Sequence, residues 1–127
     1  MVNEGVPVLV VDDQSPFRSA ARAVLGMTPG FEIVGEAASG EEGVTLAEAL
    51  EPALVLMDIN MPGVNGIEAS RRITAEHPET VVVLLSTYSA DDLPADARSC
   101  GAATYVDKEE FGPDVLREIW SEHGRAA

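Results

Sequence analysis

LVLMDINMPGVNG, residues 54–66, is an apolar run that stops at a single acidic residue, Asp58. The run Leu54–Met57 has no polar face, which is typical of a strand covered by helices on both sides of a parallel sheet. Asparagine, proline and glycine follow in close succession, so the chain must turn sharply after this strand. Because ligands of open α/β sheets bind at the carboxyl ends of the strands, Asp58 occupies a position where a ligand site is expected.

Four more segments, separated by helical patterns, are predicted strands. Val6–Val11 and Val81–Leu85 are apolar runs that end before polar residues, whereas Phe31–Ala37 alternates apolar and polar residues and Thr104–Asp107 is brief. The five predicted strands are Val6–Val11, Phe31–Ala37, Leu54–Met57, Val81–Leu85 and Thr104–Asp107. Five helices are predicted between and after them: one that Ser15 caps with Pro16 at its first position, one from the capping box of Ser39 and Glu42 to Leu50, one from Gly66 to His77, a short one from Pro94 to Gly101, and one opened by Pro113. The tail after Glu122 is expected to fray. This alternation of strands and helices predicts an α/β fold, with a parallel sheet and helices on both faces.

Composition and charge narrow the class of protein. With 127 residues the chain has room for one domain, spanning residues 1–127. It carries 22 Asp and Glu against 8 Lys and Arg, a formal net charge of −14, which repels nucleic acid and anionic membranes. Cys100 is the single cysteine, no run approaches the length of a membrane span, and the amino terminus lacks the features of an export signal. We therefore expect a cytoplasmic protein with no direct contact to nucleic acid and no membrane partner.

Charged and hydroxyl side chains stand at the carboxyl ends of four of the predicted strands. Asp12 and Asp13 follow the first strand, Asp58 the third, Ser86 the fourth, and Lys108 the fifth. Crowded carboxylates raise one another's pKa values unless a cation is present, and an oxygen-only cluster suits Mg²⁺ or Mn²⁺. With a divalent ion and the Lys108 ammonium balancing three carboxylates, Asp58 is a candidate nucleophile toward a phosphoryl group, and Ser86 a candidate donor to its oxygens.

The whole pattern resembles the receiver domain of two-component response regulators, in residue type, order and spacing. The residues that carry the resemblance are Asp12, Asp13, Asp58 within DINMPGVNG, Ser86 after VVVLL, Tyr105 and Lys108. The resemblance implies a flavodoxin-like, doubly wound (βα)5 fold with strand order 2-1-3-4-5. It further implies a phosphoprotein of a phosphorelay, not an enzyme that turns over an external substrate.

The resemblance also implies residue roles and partners. Asp58 would accept a phosphoryl group from a phosphohistidine of a sensor histidine kinase, in a reaction that depends on Mg²⁺. The metal would be held by Asp13, Asp58 and the backbone carbonyl of Asn60, and by Asp12 through water. Homodimerisation on phosphorylation would be one outcome.

Ser86 and Tyr105 would form the switch pair of such a receiver. In the family the hydroxyl moves toward the phosphate and the aromatic ring turns inward, so that local charge alters packing at the fourth helix, fifth strand and fifth helix. The turn sequence after Asp58, and Glu109 after Lys108 where many relatives carry proline, resemble receivers that precede a helix-turn-helix DNA-binding output. The chain is thus interpreted as a transcriptional regulator's receiver or, alternatively, as a stand-alone receiver that signals through protein contacts.

Three positions bear on how far the resemblance extends. Pro94 falls within the fourth helix of the family, so the dimer face there is in question. Asp107 is acidic where an apolar residue is usual, but strand alternation directs it away from the site. Tyr88 is bulky where water approaches the phosphoryl group, and we expect it to slow self-dephosphorylation.

Two other functional classes use similar residues. An aspartyl-phosphate hydrolase of the haloacid dehalogenase type carries a second aspartate two residues after the nucleophile as general acid, and here that residue is Asn60. A flavodoxin-like cofactor binder needs a phosphate loop after the first strand, whereas the segment DDQSP is acidic. Both classes are therefore disfavoured.

Overall fold

The structure, a computed structural model, describes residues 5–87, 97 and 99–124. Five parallel strands form one sheet in the order β2-β1-β3-β4-β5, which confirms the expected topology. The strands are β1 (Val6–Val11), β2 (Phe31–Ala37), β3 (Leu54–Asp58), β4 (Val81–Ser86) and β5 (Thr104–Asp107). Because β1 and β3 are neighbours and parallel, their carboxyl ends bring Asp12, Asp13 and Asp58 to one edge of the sheet.

Four α-helices and a 3-10 helix have both of their ends within the described residues. They are α1 (Ser15–Gly26), α2 (Gly40–Leu50), α3 (Gly66–Glu76), the 3-10 helix Lys108–Glu110, and α4 (Pro113–His123). Alternate residues of β1 enter different cores: Leu9 and Val11 pack with α2 and α3, whereas Val8 and Val10 pack with α1 and α4. The sheet is therefore covered on both faces, as its unbroken apolar runs predicted.

Several element boundaries differ from the sequence-based prediction. Ser15 was expected to cap α1, but the capping residue is Gln14, whose side chain makes no capping hydrogen bond, and Ser15 is the first helical residue. The Asp12 side chain takes over part of this role, because its Oδ1 accepts a hydrogen bond of 2.8 Å from the Gln14 N–H. Strands β3 and β4 each run one residue further than predicted, so Asp58 and Ser86 are themselves the last strand residues.

The predictions for the end of the last helix and for the segment after β4 have different outcomes. Helix α4 continues to His123 and is capped at Gly124, so the tail does not fray directly after Glu122. Residues 94–96 and 98 of the short helix predicted from Pro94 to Gly101 lie outside the described residues; of the others, Ala97 is in 3-10 conformation and residues 99–101 form a bend instead of a helix end. The prediction about Tyr88 also falls outside the described residues. Within the described part of the chain, no helix combines the length and apolar composition needed to cross a membrane.

Candidate functional site

Asp58 is held at the centre of the site by a tight junction between β3 and α3. Only 4% of the Asp58 surface is exposed to solvent. The Ile59 N–H donates to the carbonyl of Leu85 in β4, and the Gly66 N–H donates to the carbonyl of Ile59. A Cβ at Gly66 would lie 2.0 Å from the Asp58 carbonyl oxygen, so only glycine permits this approach of the helix start to the strand end.

The acidic pair after β1 divides into one buried and one exposed carboxylate. Asp12 is completely buried, and its backbone carbonyl accepts a hydrogen bond of 2.6 Å from Arg18 Nη1. Asp13 is exposed to solvent. The loop therefore presents one carboxylate from inside the protein and one from the solvent side.

The carboxylates of Asp12, Asp13 and Asp58 are grouped tightly enough to hold a metal ion. One oxygen from each lies within 4.8 Å of the others. Within the described part of the chain, the buried Oδ2 of Asp12 accepts no hydrogen bond of normal geometry, although Lys108 Nζ lies 2.6 Å away as an ionic partner. An all-oxygen set with a buried, incompletely satisfied carboxylate fits the preference of a hard divalent cation.

Lys108 supplies the positive charge of the site. It follows β5 directly, and its side chain is only 10% exposed. Its Nζ lies 2.6 Å from Asp12 Oδ2 and 3.2 Å from Asp58 Oδ1, so one ammonium bridges the two buried carboxylates. The neighbouring Asp107 accepts a hydrogen bond of 2.8 Å from the Glu109 N–H instead, at the start of the 3-10 helix.

The environment of Asp58 raises its pKa from 3.8 to about 6. Burial is the largest cause, because it disfavours the charged form, and repulsion from Asp12 is the second. The ammonium of Lys108 and a hydrogen bond from the Asn60 backbone lower the pKa and partly offset these effects. Reasoning from the sequence had identified the repulsion but not the larger contribution of burial. A pKa of about 6 leaves most Asp58 side chains ionised at neutral pH, as a nucleophile requires.

The two predicted switch residues lie on the neighbouring strands β4 and β5. Ser86 is buried at the end of β4, and Tyr105 is half-buried in β5. Both border a cavity of about 510 Å³ that α4 also lines. Tyr105 borders a second cavity of about 210 Å³, whose other lining residues include Ala97, Ala102 and Ala103. Tyr105 therefore borders unfilled space at two places.

One residue near the site was missed by reasoning from the sequence. The helical pattern that follows Pro16 marks Phe17 only as an apolar residue of α1, but its ring centroid lies 4.7 Å from Lys108 Nζ. The period of apolar residues along a helix cannot show that one of them also faces a charged group from a distant strand.

Comparisons with known proteins agree with the fold. The family model described as "Response regulator receiver domain" matches residues 8–120. The chain is 38% identical over 118 residues to the transcriptional regulatory protein DegU of Brevibacillus brevis, a match that covers 92% of this chain and 50% of DegU. The chain spans about half the length of the curated relatives it matches.

Two solved structures are similar over nearly the whole chain. The signal receiver domain of the response regulator NarL from Mycobacterium tuberculosis has a TM-score of 0.86 at 28% identity, and the match covers 96% of this chain and 99% of that one. CheY in the CheX-CheY-BeF3-Mg complex from Borrelia burgdorferi has a TM-score of 0.83 at 27% identity, covering 94% of this chain and 90% of that one.

Proposed function

The chain belongs to the response regulator receiver family, and on that premise we propose that Asp58 is its phosphoacceptor. One observation carries the proposal: the buried Asp58 carboxylate at the end of β3 lies 3.2 Å from the Lys108 ammonium and is grouped with Asp12 and Asp13. A nucleophile, a cation and a set of metal ligands thus share one edge of the sheet. In this interpretation residues 1–127 form a single receiver domain.

The proposed donor is a phosphohistidine of a sensor histidine kinase. An oxygen of Asp58 attacks the phosphorus atom, the P–N bond breaks, and its electron pair stays with the leaving imidazole. The Lys108 ammonium stabilises the negative charge on the transferring oxygens, and the Ser86 hydroxyl donates a hydrogen bond to one of them after transfer. The chain is modified in this reaction and does not turn over an external substrate.

The acidic cluster is the proposed site of Mg²⁺, with Mn²⁺ as a substitute. Asp13, Asp58 and the backbone carbonyl of Asn60 would hold the ion directly, and Asp12 would hold it through water. When bound, the ion neutralises negative charge on the phosphoryl oxygens. The solved CheX-CheY-BeF3-Mg complex supports this assignment, since its CheY has the same fold.

Ser86 and Tyr105 are the proposed switch pair, and the cavities beside Tyr105 support that role because the ring needs space to turn. The phosphorylated state would alter packing at β5 and α4 and so control an output domain or a partner. A transcriptional output is proposed from the naming of DegU as a transcriptional regulatory protein. Homodimerisation on phosphorylation is proposed from the family resemblance alone. The site of action would be the cytoplasm.

The test is phosphorylation by a small donor. Incubation with acetyl phosphate and Mg²⁺ should add one phosphoryl group per chain by intact-mass measurement, and beryllofluoride with Mg²⁺ should bind at a single site. Asp58→Asn should abolish both results. Asp107→Asn is the matched control and should retain them, because that carboxylate is hydrogen-bonded to Glu109 instead of facing Lys108. Modification that persists in Asp58→Asn would contradict the proposal.

A further inference from the structure

The Lys108 ammonium has three different neighbours in the described structure. Two are the carboxylates of Asp12 and Asp58, at 2.6 Å and 3.2 Å. The third is the ring of Phe17, whose centroid lies 4.7 Å from Nζ. The carboxylates attract the ammonium by their negative charge. The negative face of the aromatic ring attracts it as well, although the ring carries no net charge.

Phe17 is held by a backbone hydrogen bond at the start of α1 and by a ring contact with Phe111. Helix α1 begins at Ser15, and the Phe17 N–H donates to the carbonyl of Gln14 in its first turn. The Phe17 ring packs against Phe111, with 6.0 Å between the ring centroids and 49° between the planes. Because Phe111 directly follows the 3-10 helix that begins at Lys108, the two aromatic rings connect the segment after β1 to the segment after β5.

Lys108 needs such a constraint because its side chain is long and flexible. An unbranched four-carbon stem allows the ammonium many positions, and only some of them reach both carboxylates. Lys108 is also the single lysine in the sequence, so no neighbouring ammonium can replace it. An aliphatic residue in place of Phe17 would fill similar space but would offer no negative face to the charge.

We propose that the aromatic face of Phe17, supported by Phe111, positions the Lys108 ammonium beside Asp58 for phosphoryl transfer. Phe17 is thus a positioning residue that acts through Lys108 and does not touch the phosphoryl group. The inference deepens the proposed function and rests on it for its consequence in phosphoryl transfer. The placement of the ammonium over the ring is itself independent of that function.

The first experiment measures the placement directly, in the absence of metal and phosphoryl donor. Because the chain has one lysine, protein labelled with ¹³C-lysine gives a single set of side-chain NMR signals. The ring current of Phe17 should shift the Lys108 Hε signals upfield. Phe17→Leu should return them toward the position of an unfolded peptide, and Phe17→Tyr should restore the shift.

Phe31→Leu is the matched control for these spectra. Phe31 packs edge-on against Trp120 in a separate contact, with 6.3 Å between the ring centroids, so its loss should leave the Lys108 signals unchanged. Lys108 Hε signals that do not respond to Phe17→Leu in a folded protein would overturn the proposal.

The second experiment varies the ring's electrostatics without changing its packing. Fluorinated phenylalanines placed only at position 17 weaken the negative face in steps while keeping the ring's shape. The rate of phosphorylation by acetyl phosphate should fall with each added fluorine, and Phe17→Leu should be roughly threefold to thirtyfold slower than the unmodified chain. The same series at position 31 should leave the rate unchanged.

The outcomes separate this proposal from the proposed function. A rate that is insensitive to fluorination at position 17 would overturn the positioning role, while phosphorylation of Asp58 itself would stand. An unmodified chain that is not phosphorylated at Asp58 would overturn the proposed function, and the lysine spectra would still decide the placement of the ammonium. If Phe17→Leu fails to fold, the fluorinated series decides, because its members keep the ring.

Discussion

At the scale of single residues, Asp58 must be ionised to act as a nucleophile, but its surroundings disfavour the ionised form. Its carboxylate is almost completely buried, and the equally buried Asp12 repels it, whereas one ammonium serves both. Removing a charge from water without a full complement of partners costs free energy. Because burial and repulsion outweigh the ammonium in raising the pKa of Asp58, we expect the ionised carboxylate to lower the stability of the folded chain at neutral pH.

The first prediction is that Asp58→Asn stabilises the metal-free protein at neutral pH. The folded-state pKa of Asp58 is about 6, above the value of 3.8 expected when unfolded. Between these two values the folded state binds a proton that the unfolded state has lost, so the free energy of unfolding of the wild type falls as pH rises from about 4 to about 6. Asparagine cannot ionise, so the variant should be more stable by about 1–3 kcal/mol at pH 7.

Urea unfolding in EDTA at several pH values measures this difference. The advantage of Asp58→Asn should grow from pH 4 to pH 6 and stay nearly constant above that range. Asp13→Asn makes the same chemical change at an exposed carboxylate of the same cluster and should give a smaller effect. A variant that is less stable than the wild type at pH 7 would show that the ion pair with Lys108 outweighs burial.

At the scale of secondary-structure elements, the sequence predicted most of what determines the site. Apolar runs that stop at acidic or hydroxyl residues located the ends of β1, β3 and β4. A strand buried on both faces carries apolar side chains along its length, so polar side chains are expected only where it ends. The start of α1 was misassigned by one residue because Gln14 takes the capping position without a side-chain capping hydrogen bond, and the Asp12 side chain instead accepts from the Gln14 N–H. The contact between Phe17 and Lys108 could not be predicted either. It depends on the position of Lys108 at the end of β5, and the residue pattern of α1 carries no information about that position.

The second prediction concerns the junction between β3 and α3. Gly66→Ala would place a methyl group 2.0 Å from the Asp58 carbonyl oxygen, so the helix start must move away from the strand end. Overpacking of this kind costs about 1–3 kcal/mol, and the displacement should also slow phosphorylation of Asp58. Urea unfolding and the acetyl phosphate reaction measure the two effects.

Gly26→Ala is the matched control for the junction. Gly26 ends α1, and a Cβ there would meet nothing within 4 Å, so the substitution should be neutral or slightly stabilising. Equal losses in both variants would mean that the contact with the Asp58 carbonyl oxygen does not explain the effect of Gly66→Ala.

The third prediction concerns the coupling of Asp58 to β5 and α4. Ser86→Ala removes a buried hydroxyl at the end of β4 but leaves the carboxylates and Lys108 in place. Beryllofluoride should still bind at Asp58, with an affinity lower by about 1 kcal/mol, the typical net value of one hydrogen bond. The backbone NMR shifts that beryllofluoride induces in β5 and α4 should be smaller than in the wild type. Shift changes of full size in Ser86→Ala would exclude Ser86 from the switch pair.

At the scale of the whole molecule, net charge and the local site oppose folding in different ways. A formal charge of −14 on 127 residues creates a self-repulsion that monovalent salt weakens, because charges separated by more than ~10 Å are screened at 0.1 M ionic strength. Salt screens the charges of the buried carboxylates much less than those at the surface. A divalent ion that binds among them should stabilise the fold beyond any effect of ionic strength.

The fourth prediction follows from this difference. At matched ionic strength, MgCl₂ should raise the melting temperature more than KCl, and saturating Mg²⁺ at about 100 times its dissociation constant should contribute about 2.7 kcal/mol. Asp13→Asn removes one proposed ligand and should lose most of the Mg²⁺-specific increment while keeping the response to KCl. Glu79→Gln, an exposed acid between α3 and β4, should keep both responses. If MgCl₂ and KCl gave the same melting curve in the wild type, the acidic cluster would act only as part of the diffuse surface charge. The metal would then have no specific site at the end of the sheet.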